Sequence, residues 1–351
     1  MAAVEKVIDH GQFILSDEVT EFEESFAEIC GADYAVGVNS GTDALILALK
    51  ALGVGTGDEV ITAPNSFVAS AGCVAAVGAQ PVFVDVGDDY NIDPALIEPA
   101  ITERTKAILP VHLTGRPAAM DAIANLAKAH DLYVVEDAAQ AVGAQYMGRP
   151  TGSWGTVGCF SLHPLKTLNA CGDGGVLTTN DPELFESFRN WRNIGLRSRD
   201  DCVLWGHNSR LDSIQAAMLL VKLQWFEQWT DRRRENARAY REQLGGVSQV
   251  QVPIDMEYER SVYHTFVIQA SDRDRLKAYL EERGVGTAIH YPIPIHLHTA
   301  AIDLGYRPGS FPVTEQQAGR ILSLPVYPEL EAEQITYVVN CIKEFYSGAT
   351  G

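Results

Sequence analysis

The sequence predicts an α/β fold, with a mainly parallel sheet and helices on its faces. Three observations carry this. Short apolar runs alternate with helical patterns from residue 34 onward, the order that builds β-α-β units. The chain has 351 residues, enough for one large domain and a smaller one. A composition shift at Gly245-Gly246 divides it into residues 1–244 and a smaller α/β unit, residues 245–351.

In chain order, residues 4–30 carry apolar positions at helical spacing (Val19, Phe22, Phe26, Ile29), with Ser16 as a cap, and read as a packing helix. Tyr34–Val38 is a strand and Asn39-Ser40-Gly41-Thr42-Asp43 a polar turn. Ala44–Leu52 is a helix closed by Gly53, and Ser40 with Asp43 resembles a capping box. Strands follow at 59–62, 81–86, 105–111 and 132–135, with helices at 67–77 and 117–130 between them. Residues 156–162 and 176–179 are further strands. Asp181-Pro182 opens a helix to about Asn193, and Ile214 begins a long one to about Leu244. Its Arg232-Arg233-Arg234 triplet reads as a solvated face. The smaller unit holds strands at 262–268 and 285–289 and helices at 273–283 and 330–346.

Bulk properties exclude several classes. The net charge of -19 argues against a nucleic-acid surface. No run of 18 or more apolar residues marks a membrane span. The N-terminus lacks the layout of a secretion signal. Six cysteines, at 30, 73, 159, 171, 202 and 341, form no CxxC pair and read as reduced, mostly buried thiols of a cytoplasmic protein.

Chemistry gathers around Cys159 to Asn169. The strand breaks at Pro164, and Lys166 sits two residues beyond, before the turn Gly172-Asp173-Gly174-Gly175. A lysine held there is placed to form an imine with an aldehyde. At Ser40-Gly41-Thr42, a helix start can cradle a phosphate, or the motif is simply a well-capped helix. Asp137 stands at a strand's carboxyl end, where ligands of such sheets bind. Its carboxylate either caps a loop or pairs with a cationic ring nitrogen. His290, His296 and His298 fall close together, but prolines at 292 and 294 make this a loop better suited to substrate contact or packing than to metal.

Together these pieces resemble the DegT/StrS family of nucleotide-sugar aminotransferases, which use pyridoxal 5'-phosphate. The resemblance spans Gly11 to Tyr346. It rests on residues 38–45, Glu136-Asp137-Ala138-Ala139-Gln140, Phe160 to Lys166, residues 172–175, Asn208-Ser209-Arg210-Leu211-Asp212 and Leu322 to Pro328. It implies the aminotransferase type I fold, with a seven-stranded, mostly parallel sheet in the large domain and a small C-terminal domain, assembled as a homodimer with shared sites. It implies that Lys166 holds the cofactor and moves the proton, that Asp137 pairs with the ring nitrogen, and that Phe67 stacks on the ring. Gln140 would bond the ring oxygen, and Gly41, Thr42 and Ser161 the phosphate, which Asn208 would reach from the partner chain.

Arg210, His290 and Tyr291 would face the sugar or its nucleotide. The glycine turn and the Asn-Ser-Arg-Leu-Asp run are closer to members that aminate a 3-keto sugar, with glutamate or glutamine as donor. A 4-keto sugar, a cyclitol such as a keto-inositol, and a non-catalytic regulatory role are the alternatives. A sugar dehydratase is disfavoured because such relatives replace the lysine with histidine. Two departures stand out: fewer residues precede Val4 than is usual, and Asn190 to Gly195 lacks the histidine of the family's Arg-Asn-His-Gly.

Overall fold

The computed structural model describes residues 1–348. Two helices, α1 (Ala2–His10) and α2 (Asp17–Cys30), replace the single helix expected over residues 4–30. Gly11 ends α1 in the left-handed conformation at φ 69°. Ser16 does start α2, but its hydroxyl donates to Glu18 Oε2 at 2.7 Å instead of accepting a backbone N–H. Then come β1 (Tyr34–Val38), α3 (Gly41–Ala51), β2 (Glu59–Thr62), α4 (Ala69–Ala76), β3 (Gln80–Phe83), β4 (Thr105–Leu109), α5 (Met120–Ala129) and β5 (Tyr133–Asp137). Short strands β6 (Gln145–Tyr146) and β7 (Arg149–Pro150) precede β8 (Val157–Ser161) and β9 (Gly175–Thr179). Helix α6 (Pro182–Arg192), the hairpin β10 (Leu196–Ser198) with β11 (Asp201–Cys202), and α7 (Ser213–Leu244) follow.

Seven strands form the main sheet in the order β1-β9-β8-β5-β4-β2-β3. Only β9 runs against its neighbours β1 and β8; the other pairings are parallel. Alternate residues of β8 face opposite layers. Val157 and Cys159 join α3 and Phe188 of α6 on one side. Phe160 joins α2 on the other, edge-on to Phe26 at 5.0 Å. With both faces covered, the strands read as apolar runs, which is why they were legible.

The C-terminal part contains β12 (Val250–Gln251), β13 (Glu259–Arg260), β14 (Phe266–Ala270), α8 (Arg273–Glu281), α9 (Pro312–Ala318), β15 (Ile321–Leu324) and α10 (Ala332–Gly348). Strands β12, β14 and β15 form an antiparallel sheet packed against α8 and α10. The strand expected over 262–268 begins only at Phe266, because Val262 N and Thr265 N donate instead to Gly115 O and Thr114 O. Residues 285–289 form no strand, only a bridge from Ala288 to Ser323. The C-terminal part also packs back on the N-terminal part. β13 pairs with β6, and Asp85 accepts from Val313 N and Thr314 N, both at 2.9 Å.

The arginine triplet is a solvated face only at Arg232, which is exposed and pairs with Glu235; Arg233 and Arg234 are turned to the protein. Arg233 bonds the carbonyls of Tyr263 and Val326, Arg234 that of Ser261 and Arg232 that of Leu330. Irregular segments leave carbonyls unpaired, and long side chains from α7 satisfy them.

Arg192 ends α6 almost fully buried; it ion-pairs with Glu23 of α2 and donates to Gly37 O of β1 at 2.8 Å. Glu23 in turn accepts from Gly37 N at 2.7 Å. Removing one partner of such a pair strands a buried charge. Arg192→Met should therefore lose about 3–5 kcal/mol in urea unfolding, and Glu23→Gln with Arg192→Met should lose less than Arg192→Met alone. A single variant within about 1 kcal/mol of the parent would show the pair to be solvated.

Candidate active site

Loops leaving the carboxyl ends of β1, β2, β5 and β8 meet the C-terminal part around a cavity of about 760 Å³. Gly41, Thr42, Phe67, Asp137, Gln140, Ser161, Lys166, His290 and Tyr291 all line it.

One end is the start of α3. Ser40 caps it by accepting from Asp43 N at 3.0 Å. The N–H groups of Gly41 and Thr42 have no partner within the helix, as at any α-helix start, and the helix end favours an anion. Gly41 lies so close to β8 that an added Cβ would meet Ser161 Cβ at 2.6 Å. Glycine is therefore the residue that lets this turn reach the Ser161 hydroxyl.

Lys166 sits in a turn, its N–H donating to His163 O at 2.8 Å. Its carbonyl accepts from Asn169 Nδ2 at 2.8 Å, and Lys222 Nζ holds Asn169 O at 2.7 Å. The Lys166 Nζ has no hydrogen-bond or ion-pair partner among the described residues. Burial lowers its pKa from the ordinary lysine value, and Asp137 only partly offsets this. Burial and the nearby Lys166 likewise lower His264 and His290, so both imidazoles stay neutral.

Asp137, at the end of β5, is fixed at each carboxylate oxygen. Ser70 Oγ donates to Oδ2 at 2.7 Å and Ala139 N to Oδ1 at 3.2 Å. Gln140 Oε1 accepts from Thr114 N at 2.7 Å, which turns its Nε2 toward Tyr291 Oη at 3.4 Å and the cavity. Phe67 is half exposed into the cavity and tilts against Tyr291 with ring centroids 5.7 Å apart. His290 Nδ1 lies 2.8 Å from Ser323 Oγ. Burial, then Asp137, push the Tyr291 hydroxyl up to about 12.

Asn208 and Arg210 stand apart. Asn208 is exposed and bridges Asn193, while Arg210 Nη1 donates to Asn193 Oδ1 at 3.0 Å; neither lines this chain's cavity. His296 is buried against Glu315 at 3.1 Å, and no cluster of three metal-ligating side chains exists among the described residues.

Sequence reasoning missed Ser70, Thr114 and His264. Ser70 reaches Asp137 across 67 positions, and Thr114 acts through its backbone, so neither leaves a local pattern. His264 lies in a stretch read as regular strand; the histidine within an apolar run was the available signal.

The family described as the DegT/DnrJ/EryC1/StrS aminotransferase family matches residues 1–343. The chain is 45% identical to a protein named pleiotropic regulatory protein from Geobacillus stearothermophilus, over 99% of this chain and 94% of that one. It is also 45% identical to dTDP-3-amino-3,4,6-trideoxy-alpha-D-glucose transaminase from Streptomyces venezuelae, over 98% of this chain and 91% of that one. The crystal structure of S. venezuelae DesV in complex with a ketimine intermediate superposes with a TM-score of 0.96 at 45% identity, over 98% of this chain and 93% of that one.

A half-buried, unpartnered amine should react with aldehydes at lower pH than a surface lysine, because only the neutral form is nucleophilic. In cofactor-free protein treated with formaldehyde and cyanoborohydride, methylation of Lys166 should reach its plateau at lower pH than methylation of exposed Lys343. Peptide mass spectrometry across a pH series reads both sites, and coincident midpoints would place Lys166 in water.

Proposed function

Because the chain belongs to the DegT/DnrJ/EryC1/StrS aminotransferase family, we propose that it moves an amino group from glutamate or glutamine to the C-3 keto group of a sugar carried on a nucleoside diphosphate. The observation that carries this is Lys166, an amine without a partner whose charged form burial disfavours, facing the fixed carboxylate of Asp137 across one cavity.

The site fits pyridoxal 5'-phosphate. The α3 start has free N–H groups and a glycine cradle that a Cβ would fill. When bound, the cofactor supplies a cationic ring that withdraws electrons from the reacting carbon. Lys166 Nζ would hold the cofactor covalently and, once freed, would carry the proton between the substrate carbon and the cofactor's C4′. Asp137 keeps the ring nitrogen protonated through a charge-assisted bond. Phe67 covers one ring face and helps to exclude water. Gln140 Nε2, aimed by Thr114, donates to the ring oxygen. Gly41 N, Thr42 N and Ser161 Oγ hold the phosphate. His290 and Tyr291 face the sugar, and neutral His290 orients it without adding charge.

Asn208 and Arg210 serve the neighbour's site in a homodimer, which accounts for their place outside the chain's own cavity. We place the enzyme in the cytoplasm, where six unpaired cysteines stay reduced. No helix among the described residues is long and apolar enough to cross a membrane. The relative named as a regulatory protein favours a second reading, a regulator that keeps the fold. Retention of Lys166 and Asp137 together weighs against it.

Purified protein offered UDP- and dTDP-linked 3-keto and 4-keto sugars with glutamate should aminate a 3-keto substrate. Lys166→Ala should bind the cofactor through the phosphate contacts yet lose the borohydride-trappable link and turnover. A colourless parent protein that takes up no cofactor, or amination confined to 4-keto sugars, would sink the respective part of the reading.

Mixing Lys166→Ala with Asn208→Asp tests the shared site. Heterodimers carry both lesions in one site and neither in the other, so a random equal mixture should recover up to about a quarter of parental activity. No recovery despite confirmed chain exchange would show that each chain builds its own site.

A further inference from the structure

We propose that Ser70 is a positioning residue for the cofactor: its hydroxyl, donated to Asp137 Oδ2 at 2.7 Å, fixes the carboxylate in the orientation that meets the ring nitrogen. This rests on the proposed reading of the cavity as a pyridoxal phosphate site.

The placement of Ser70 is specific. It lies in the first turn of α4, is 1% exposed, and lines the cavity. A serine on a helix can satisfy its hydroxyl locally, on a carbonyl one turn earlier or in solvent. Here the backbone does bond locally, Ser70 N to Phe67 O at 3.1 Å, but the hydroxyl leaves the helix and crosses to β5. The same turn thus ties the residue that covers the ring face, Phe67, to the residue that meets the ring edge.

Asp137 needs that hold. Its other fixed bond, from Ala139 N, is a longer local contact of 3.2 Å. Behind it lie Cys73 and Cys159, whose thiols are pushed up by burial first and then by Asp137, and so remain neutral. Ser70 is therefore the one side-chain hydroxyl among the described residues that donates to this carboxylate. A hydrogen bond to an ionised group favours the ionised form and, at a planar acceptor, sets its orientation. The acceptor positions left over on Asp137 then point to the cavity. Without Ser70 the carboxylate keeps only the longer bond from Ala139 N, and its bond to the ring N–H⁺ weakens.

The readout is the ring nitrogen itself. Cofactor labelled with ¹⁵N in the ring reports by NMR whether that nitrogen is protonated. The parent protein should keep the protonated resonance from neutral into alkaline pH. Ser70→Ala should lose it at lower pH and lower kcat about tenfold, the size expected from losing a bond to a charged group, with KM for the amino donor little changed. Ser70→Thr, which keeps the hydroxyl, should follow the parent. If Ser70→Ala does not fold, Ser70→Cys, a weaker donor, takes its place and should shift part of the way.

A protonated nitrogen and parental kcat in Ser70→Ala, or in Ser70→Cys where that replaces it, overturn the Ser70 role alone. So does a folded Ser70→Thr that shifts as far as Ser70→Ala, since packing and not the hydroxyl would then be at issue. A parent protein with a neutral ring nitrogen, or with no bound cofactor, overturns the Asp137 assignment and this proposal with it.

Discussion

The first turn of α3 lies against the ends of β8 and β9 with no room for a side chain at either contact. An added Cβ on Gly41 would meet Ser161 Cβ at 2.6 Å, and one on Gly175 would meet Ser40 O at 2.3 Å. These two approaches bring a helix N-terminus beside the strand that leads to Lys166. The anion site and the amine therefore share one rigid support, built from a sheet buried on both faces. A looser contact would leave each group in place but change the distance between them, and positioning at this scale governs rate.

Around that support the electrostatics are set by burial. Lys166 has no partner to hold its charge, and the imidazoles near it are kept neutral. Asp137 is the exception, a carboxylate held by two hydrogen bonds in a buried place. The cavity thus places a fixed carboxylate beside basic groups whose charged forms burial disfavours. That arrangement suits chemistry in which a cationic ring must stay cationic while protons move at its edge.

The far wall depends on contacts that cross the chain. Val262 and Thr265 are pinned to Gly115 and Thr114, and Thr114 in turn aims Gln140. Gly115, at φ +90°, admits this because a Cβ there would meet His264 N and Gln140 O at 2.9 Å. Arg233 and Arg234 of α7 hold the same segment from the other side. Helix α7, 32 residues and about 48 Å long, so links the two parts of the molecule and also braces the cavity wall.

The sequence by itself determined the alternating layers, the caps at Ser40 and Asp181, the loop that carries Lys166 and the strand end that carries Asp137. Each of these is written locally: apolar runs for doubly buried strands, a cap residue for a helix start, a proline for a strand end. What only the tertiary structure decided was set by bonds between distant residues. The break at Gly11, the late start of β14, the use of the arginine triplet and the reach of Ser70 to Asp137 are of this kind. Backbone groups in irregular segments take whichever donor or acceptor the fold brings near, and that choice leaves no periodic trace in the chain.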